Sequence, residues 1–243
     1  MQYLRNATAS TLIILCSCLL LLVGCDTTEI SLSPSATPLP TASVHGSFVG
    51  KVVSTDDTQT SGIYYDTKIF IGFVTDGKKI LGCITDGSPQ HVTLFLWFAG
   101  EVKNGAADLQ RTHGDPNLQN GPEKMHVTLA SDAITGTLRL SPNSVNQMEF
   151  PNQYRLDFQA SLVADTGNAG VYRTRTTIDD ASYTAGWIVL PDGQQRGAAI
   201  GLADQVKRVL PITPGTMDTL VVTKQEQKVP LEHVAPTRVF LPV

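Results

Sequence analysis

Five histidines, His45, His91, His113, His126 and His233, are the side chains of this 243-residue chain best suited to acid–base or metal chemistry. Nucleophilic hydrolysis needs a Ser or Cys beside a His and an acid, often presented as G-x-S-x-G on a strand-to-helix elbow. That pentapeptide is absent, and the histidines are scattered along the chain. Zinc requires His or Cys at short paired spacings, and neither H-E-x-x-H nor C-x-x-C occurs. Asp56-Asp57, Asp179-Asp180 and the run from Asp165 lack the alternating oxygen ligands of a calcium loop and read as turns. No catalytic residue, metal ligand or cofactor is assigned on these grounds.

Two features suit binding instead. The stretch "RTHGDPNLQNGP", Arg111 to Pro122, is long for a hairpin connection and gathers His113 and Asp115 with several amides; long loops on rigid sheets often carry binding residues. Arg139, Arg155, Arg173 and Arg175 stand on candidate neighbouring strands and form an anion-binding patch if their polar faces align. Asp157 shares a face with Arg155, so ordinary paired surface charges are the competing reading. Trp97, Trp187, Phe95, Phe98 and Tyr183 are open to two readings, a barrel mouth that stacks on sugars or lipids, or plain core.

The elements that must position these residues are strands. In "KMHVTLA", Met125, Val127 and Leu129 share one face and Lys124, His126 and Thr128 the other. "AITGTLRL" and "YRLDFQASL" alternate in the same way, as antiparallel strands with one wet face do. Asp76-Gly77, Asp86-Gly87, Asn104-Gly105 and Asp192-Gly193 are dipeptides that accept the positive φ of tight turns. In "LPDG", Pro191 suits the first central turn position, with Asp192 next and Gly193 closing the turn. About ten strands are expected, near 46–54, 67–75, 78–85, 91–98, 100–109, 124–131, 133–140, 153–163, 169–178 and 183–190, with 195–200 and 217–223 as further candidates. The fold class is all-β, an antiparallel meander closing as a barrel or sandwich, with at most one short helix near 202–210, where "LADQVKRVL" has helical spacing and Pro211 follows.

The N-terminal end differs in kind. Leu12 to Val23 is an apolar run of 12 residues after Arg5, short of the ~20 needed to cross a hydrocarbon core about 30 Å thick. The order of a cationic start, an apolar centre and small residues is that of a secretory signal peptide. Its end, Leu22-Val23-Gly24-Cys25, resembles the lipobox of bacterial lipoproteins. The resemblance implies cleavage of residues 1–24, a diacylglyceryl group on the Cys25 thiol, and export to the outer face of the cell membrane with the lipid as anchor. Two or more acyl chains make such an anchor stable. Residues 26–43, rich in Ser, Thr and Pro, read as a linker with a coil span of roughly 25 Å. Cys16 and Cys18 leave with the signal peptide, so Cys83 in "KILGCITDG" has no disulfide partner within the chain and is expected as a small buried hydrophobe.

The chain thus divides into a signal peptide (1–24), a lipidated Cys and linker (25–43), an antiparallel β-domain (44–223) and an extended C-terminal tail packed on it (224–243). Removing residues 1–24 takes one of 18 basic and none of 22 acidic side chains, leaving 17 − 22 = −5, which offers nothing to nucleic acid. The segment "AGVYRTRTTIDDASYTAGWIVLPDGQQRG", Ala169 to Gly197, resembles the closing hairpin of secreted or lipid-anchored bacterial β-domains. That resemblance implies kinship and export, without an activity. The leading functional expectation is a non-enzymatic, lipid-anchored extracytoplasmic domain that binds an envelope protein or cell-wall component. The alternatives are a small-ligand carrier with a barrel cavity and an envelope-polymer hydrolase.

Overall fold

Eight of the alternating segments close on themselves. In the computed structural model, which describes residues 43–55, 69–112, 119–140, 154–201, 205–214, 217–222 and 225–236, the first eight strands are β1 (Gly46–Thr55), β2 (Phe70–Thr75), β3 (Lys79–Thr85), β4 (Phe95–Glu101), β5 (Ala106–Thr112), β6 (Gln119–Leu129), β7 (Ala133–Leu140) and β8 (Tyr154–Val163). They run antiparallel around a barrel in chain order, and β1 pairs with both β2 and β8. Closure leaves no sheet edge in this layer to attract another chain. The predicted alternation holds: Met125, Val127 and Leu129 point inward, while Lys124, His126 and Thr128 are exposed. Among the described residues twenty buried apolar side chains form the interior, including Phe48, Phe73, Phe98, Met125 and Phe158. Burial of each large one is worth on the order of 1.5–3 kcal/mol.

The tight turns follow their residues. Asn104 and Gly105 both take positive φ, 53° and 74°, the pair of angles a type I′ hairpin needs. Asp179 and Asp180 do the same at 49° and 60°. Gly193 N–H donates to the Leu190 carbonyl at 2.9 Å, closing the turn over Pro191 and Asp192 as expected. Asp86-Gly87, however, does not make a tight hairpin. The Asp86 carboxylate accepts from Thr93 N–H and Leu94 N–H, both at 2.9 Å, and from the Thr93 hydroxyl, tying down a longer loop.

A second sheet contains β9 (Gly170–Ile178), β10 (Ala181–Val189), β11 (Gln195–Gly201), β12 (Val206–Arg208) and, later in the chain, β15 (Glu232–His233), in the order β12-β11-β10-β9-β15. Between them in sequence, β13 (Met217–Val222) and β14 (Gln225–Pro230) form a hairpin. Helical spacing near 202–210 is not realised at Val206–Arg208, which pair with β11 instead; ladder hydrogen bonds with a sheet edge outweigh the small preference of so short a segment for a helix. The second sheet lies against the outside of one barrel wall. Val49, Phe70, Val74, Leu81, Cys83, Phe95 and Trp97 from β1–β4 meet Val171, Ile188, Ala198 and Ile200. Cys83 is fully buried there, and burial pushes its thiol well above the usual value. On the far face of the sheet Tyr172, Trp187 and Val189 are covered by Val209, Ile212, Val229 and Leu231. Of the aromatics with two readings, Phe95, Trp97, Phe98 and Trp187 resolve as core, all at most 2% exposed, while Tyr183 is half-buried and packs against the far-face cluster of the second sheet.

Two hairpins of similar wording, "GFVTDGKKILG" from Gly72 and "GWIVLPDGQQRG" from Gly186, share a packing rule. Phe73 stands opposite Gly82 and Trp187 opposite Gly197. A Cβ on either partner glycine would meet the ring, at 2.9 Å for Gly82 and 2.2 Å for Gly197, so each ring covers a glycine across the strand pair. The leading glycines serve the layer contact. A Cβ on Gly72 would lie 2.5 Å from Val171, and one on Gly186 2.4 Å from the Trp97 ring.

The C-terminal segment docks on β9 by mixed means. Arg173, 3% exposed, donates through Nη2 to Glu232 at 3.0 Å. His233 stacks on Tyr172 with ring centroids 4.7 Å apart. Burial lowers the His233 pKa below its ordinary 6.5, and Asp165 acts the other way more weakly. With the folded value depressed, the unfolded chain binds the extra proton first. The contribution of this contact is therefore present above about pH 6.5 and is lost as pH falls through the folded value. His233→Phe keeps the stacked ring and removes the proton. Its melting temperature should fall less between pH 7 and pH 5 than that of the unaltered chain, and equal falls in both would refute the linkage.

Candidate functional site

The second sheet covers β1–β4 and leaves the wall of β5–β8 open. On this wall the outward residues carry charge and hydroxyls, and the register sorts them into rows across the strands. One row runs Asp108, His126, Thr137, Asp157 on β5, β6, β7 and β8; the next runs Gln110, Lys124, Arg139, Arg155. Adjacent strands stand about 4.8 Å apart, so each row is a close file of side chains.

The first row is internally satisfied at one end. His126 Nδ1 lies 2.7 Å from Asp108 Oδ1, with side-chain exposures of 56% and 84%. This pair borders a groove of about 450 Å³, with Glu101, Lys103 and Gln110 on its other sides. Gly100 also lines the groove, and a Cβ there would meet the Asp108 carbonyl oxygen and the Leu109 side chain, both at 2.8 Å. Glu101 holds Lys103 at 3.4 Å, both exposed. An imidazole oriented by a carboxylate is half of a nucleophilic site, but here it stands in water, facing Thr137 on a regular ladder whose backbone N–H groups are engaged in pairing. Among the described residues of this ladder, no pair of free N–H donors sits where an oxyanion would form. Among the described residues no group of three His, Cys, Asp or Glu converges to hold a metal.

The second row places three cations at directly opposed positions on successive strands. Arg155 uses Nε to reach Asp157 at 2.9 Å, leaving other donors of its five-N–H fork. Lys124 and Arg139 have no acidic partner among the described residues. The four arginines considered together in the sequence thus separate. Arg139 and Arg155 face each other on the open wall, whereas Arg173 is buried in the second sheet against Glu232 and Arg175 lies exposed beside it on the same strand. Lys124, which replaces them in the row, stood on a recognised polar face; only the β6–β7 register joins it to Arg139. His113 and Asp115 lie outside the described residues, as does Cys25. The strands flanking His113 and Asp115 carry an inward ion pair, Arg111 Nη1 to Glu123 Oε2 at 3.2 Å, with side chains 11% and 1% exposed.

Set beside family models, curated proteins and solved structures, the chain matches none of them.

Proposed function

We propose that this chain is a lipid-anchored, extracytoplasmic binding domain at the bacterial cell envelope, non-enzymatic, which meets its partner with the barrel wall of β5–β8. The observation that carries the reading is the asymmetry of the barrel. Among the described residues twenty buried apolar side chains occupy its interior, one wall is under the second sheet, and the remaining wall presents ordered rows of polar and charged side chains. The occupied interior weighs against a cavity carrier, which needs several hundred Å³ of free volume. The exposed Asp108–His126 pair without an oxyanion site weighs against a hydrolase.

The test is native mass spectrometry of the full-length protein extracted from its own host in neutral detergent. A single protein mass carrying only its covalent lipid is expected. A noncovalent small-molecule mass that disappears on denaturation would replace the wall by a cavity. Anchoring rests on the lipobox resemblance at Leu22-Val23-Gly24-Cys25. Cys25→Ser is expected to abolish incorporation of labelled fatty acid and leave an unprocessed precursor; unchanged incorporation would exclude Cys25 as the lipid site.

A further inference from the structure

We propose that the row Lys124–Arg139–Arg155 is a binding site for a linear polyanion carrying repeated phosphate groups, an inference that rests on the wall-binding reading and names its ligand class. Three cations on directly opposed positions of β6, β7 and β8 form a like-charge file on a chain of net acidic charge. Like charges placed directly opposite each other on a sheet destabilise it; among the described residues the carboxylates in the neighbouring row are Asp157, which Arg155 reaches through Nε, and Asp108, which lies against His126. The file is unfavourable by itself and becomes favourable when an anion lies along it. Its geometry selects the shape of that anion. The two outer strands of the row are about 10 Å apart, which suits successive anionic groups of one extended chain. The neighbouring row carries Asp108 and Asp157, so a broad anionic surface such as a lipid headgroup plane would meet repulsion where a single chain would not. Arginine forks take phosphate oxygens in pairs, and lysine adds a compact third charge.

The experiment uses the full-length lipidated chain reconstituted in phosphatidylcholine vesicles, with long-chain inorganic polyphosphate as the probe and acetylation of individual lysines, read by mass spectrometry, as the site-specific signal. Polyphosphate is expected to protect Lys124 and leave Lys103, which is exposed in the turn between β4 and β5, reactive. The triple variant K124Q/R139Q/R155Q is expected to lose about thirtyfold or more in polyphosphate affinity and to melt no lower than the unaltered chain, because a like-charge file has been removed; Lys103→Gln is expected to bind as the unaltered chain does. Orthophosphate binding as tightly as the polymer would overturn the linear ligand. Protection of Lys124 by phosphatidylglycerol vesicles without polymer would assign the row to headgroups instead. Undiminished binding by the triple variant, or no polyphosphate binding by the unaltered chain, would overturn the site. Row-dependent cross-links to another envelope component in intact cells, with no polyphosphate binding, would overturn the ligand class while leaving the wall-binding reading in place. A noncovalent small molecule in the native mass spectrum would instead remove the wall-binding reading itself.

Discussion

Trp97→Ala should lower the stability of the folded chain by about 3–5 kcal/mol, the range for emptying a buried aromatic site. Trp97 is 1% exposed and sits at the contact between barrel and second sheet. Its ring lies against Gly186 on one side and meets Phe95 edge-on, with centroids 6.0 Å apart. Alanine would leave a cavity between two layers whose backbones are held apart by the rest of the interface, so collapse cannot recover the lost contacts. Trp97 Nε1 is buried with no hydrogen-bond partner among the described residues, a cost of about 1–3 kcal/mol already present in the native protein. Trp97→Phe therefore discards an unsatisfied donor and should be much milder than Trp97→Ala. Urea denaturation measures both. A Trp97→Ala midpoint within 1 kcal/mol of the unaltered protein, at unchanged slope, would show that the layers are held together elsewhere.

Gly50→Ala should cost about 3 kcal/mol or more, at the upper end for overpacking. Gly50 lies on β1 where that strand closes the barrel, opposite Ala160 of β8. A Cβ at Gly50 would stand 1.9 Å from the Gln159 carbonyl oxygen and 2.7 Å from the Ala160 Cα. Both obstacles are backbone, so no side-chain rotation relieves them and the seam itself must open. Gly193→Ala provides the contrast. Nothing lies within 4 Å of its Cβ and only the positive φ of 81° resists substitution, at a cost of about 1 kcal/mol. If thermal melting placed Gly50→Ala no lower than Gly193→Ala, the close approach of β1 and β8 would be wrong.

Much of the architecture was legible because it is written locally. Period-two alternation at Lys124–Leu129 and Ala133–Leu140 reports one wet and one dry face wherever the strand sits, and the Asn-Gly and Pro-Asp-Gly turns depend on the φ preferences of their own residues. Where local signals competed, the reading drifted. The strand expected over 100–109 ran through Asn104-Gly105, and the structure ends β4 at Glu101 and restarts at Ala106. Asp86-Gly87 has the chemistry of a tight turn, but the carboxylate of Asp86 caps a loop that docks on β11, where Gly197 N–H donates to the Gly87 carbonyl at 3.0 Å. The purpose of that contact lies in another layer and leaves no local trace.

The amino-acid sequence by itself determined the strands, most of their turns and which face of each amphipathic strand is wet, because these depend on residues within a few positions of one another. It also carried the lipobox resemblance at Cys25, on which the anchoring proposal stands. Tertiary structure decided what the largely apolar strands β2, β3 and β4 are for. Along their apolar central residues both faces are buried, one by the barrel interior and one by the second sheet, and an apolar run records burial without naming what does the burying. Tertiary structure also decided the charge file. Lys124, Arg139 and Arg155 are separated by 15 and 16 positions in the chain, and only the pairing register, fixed by the fit of the inward side chains, brings them into one row on the wall left open.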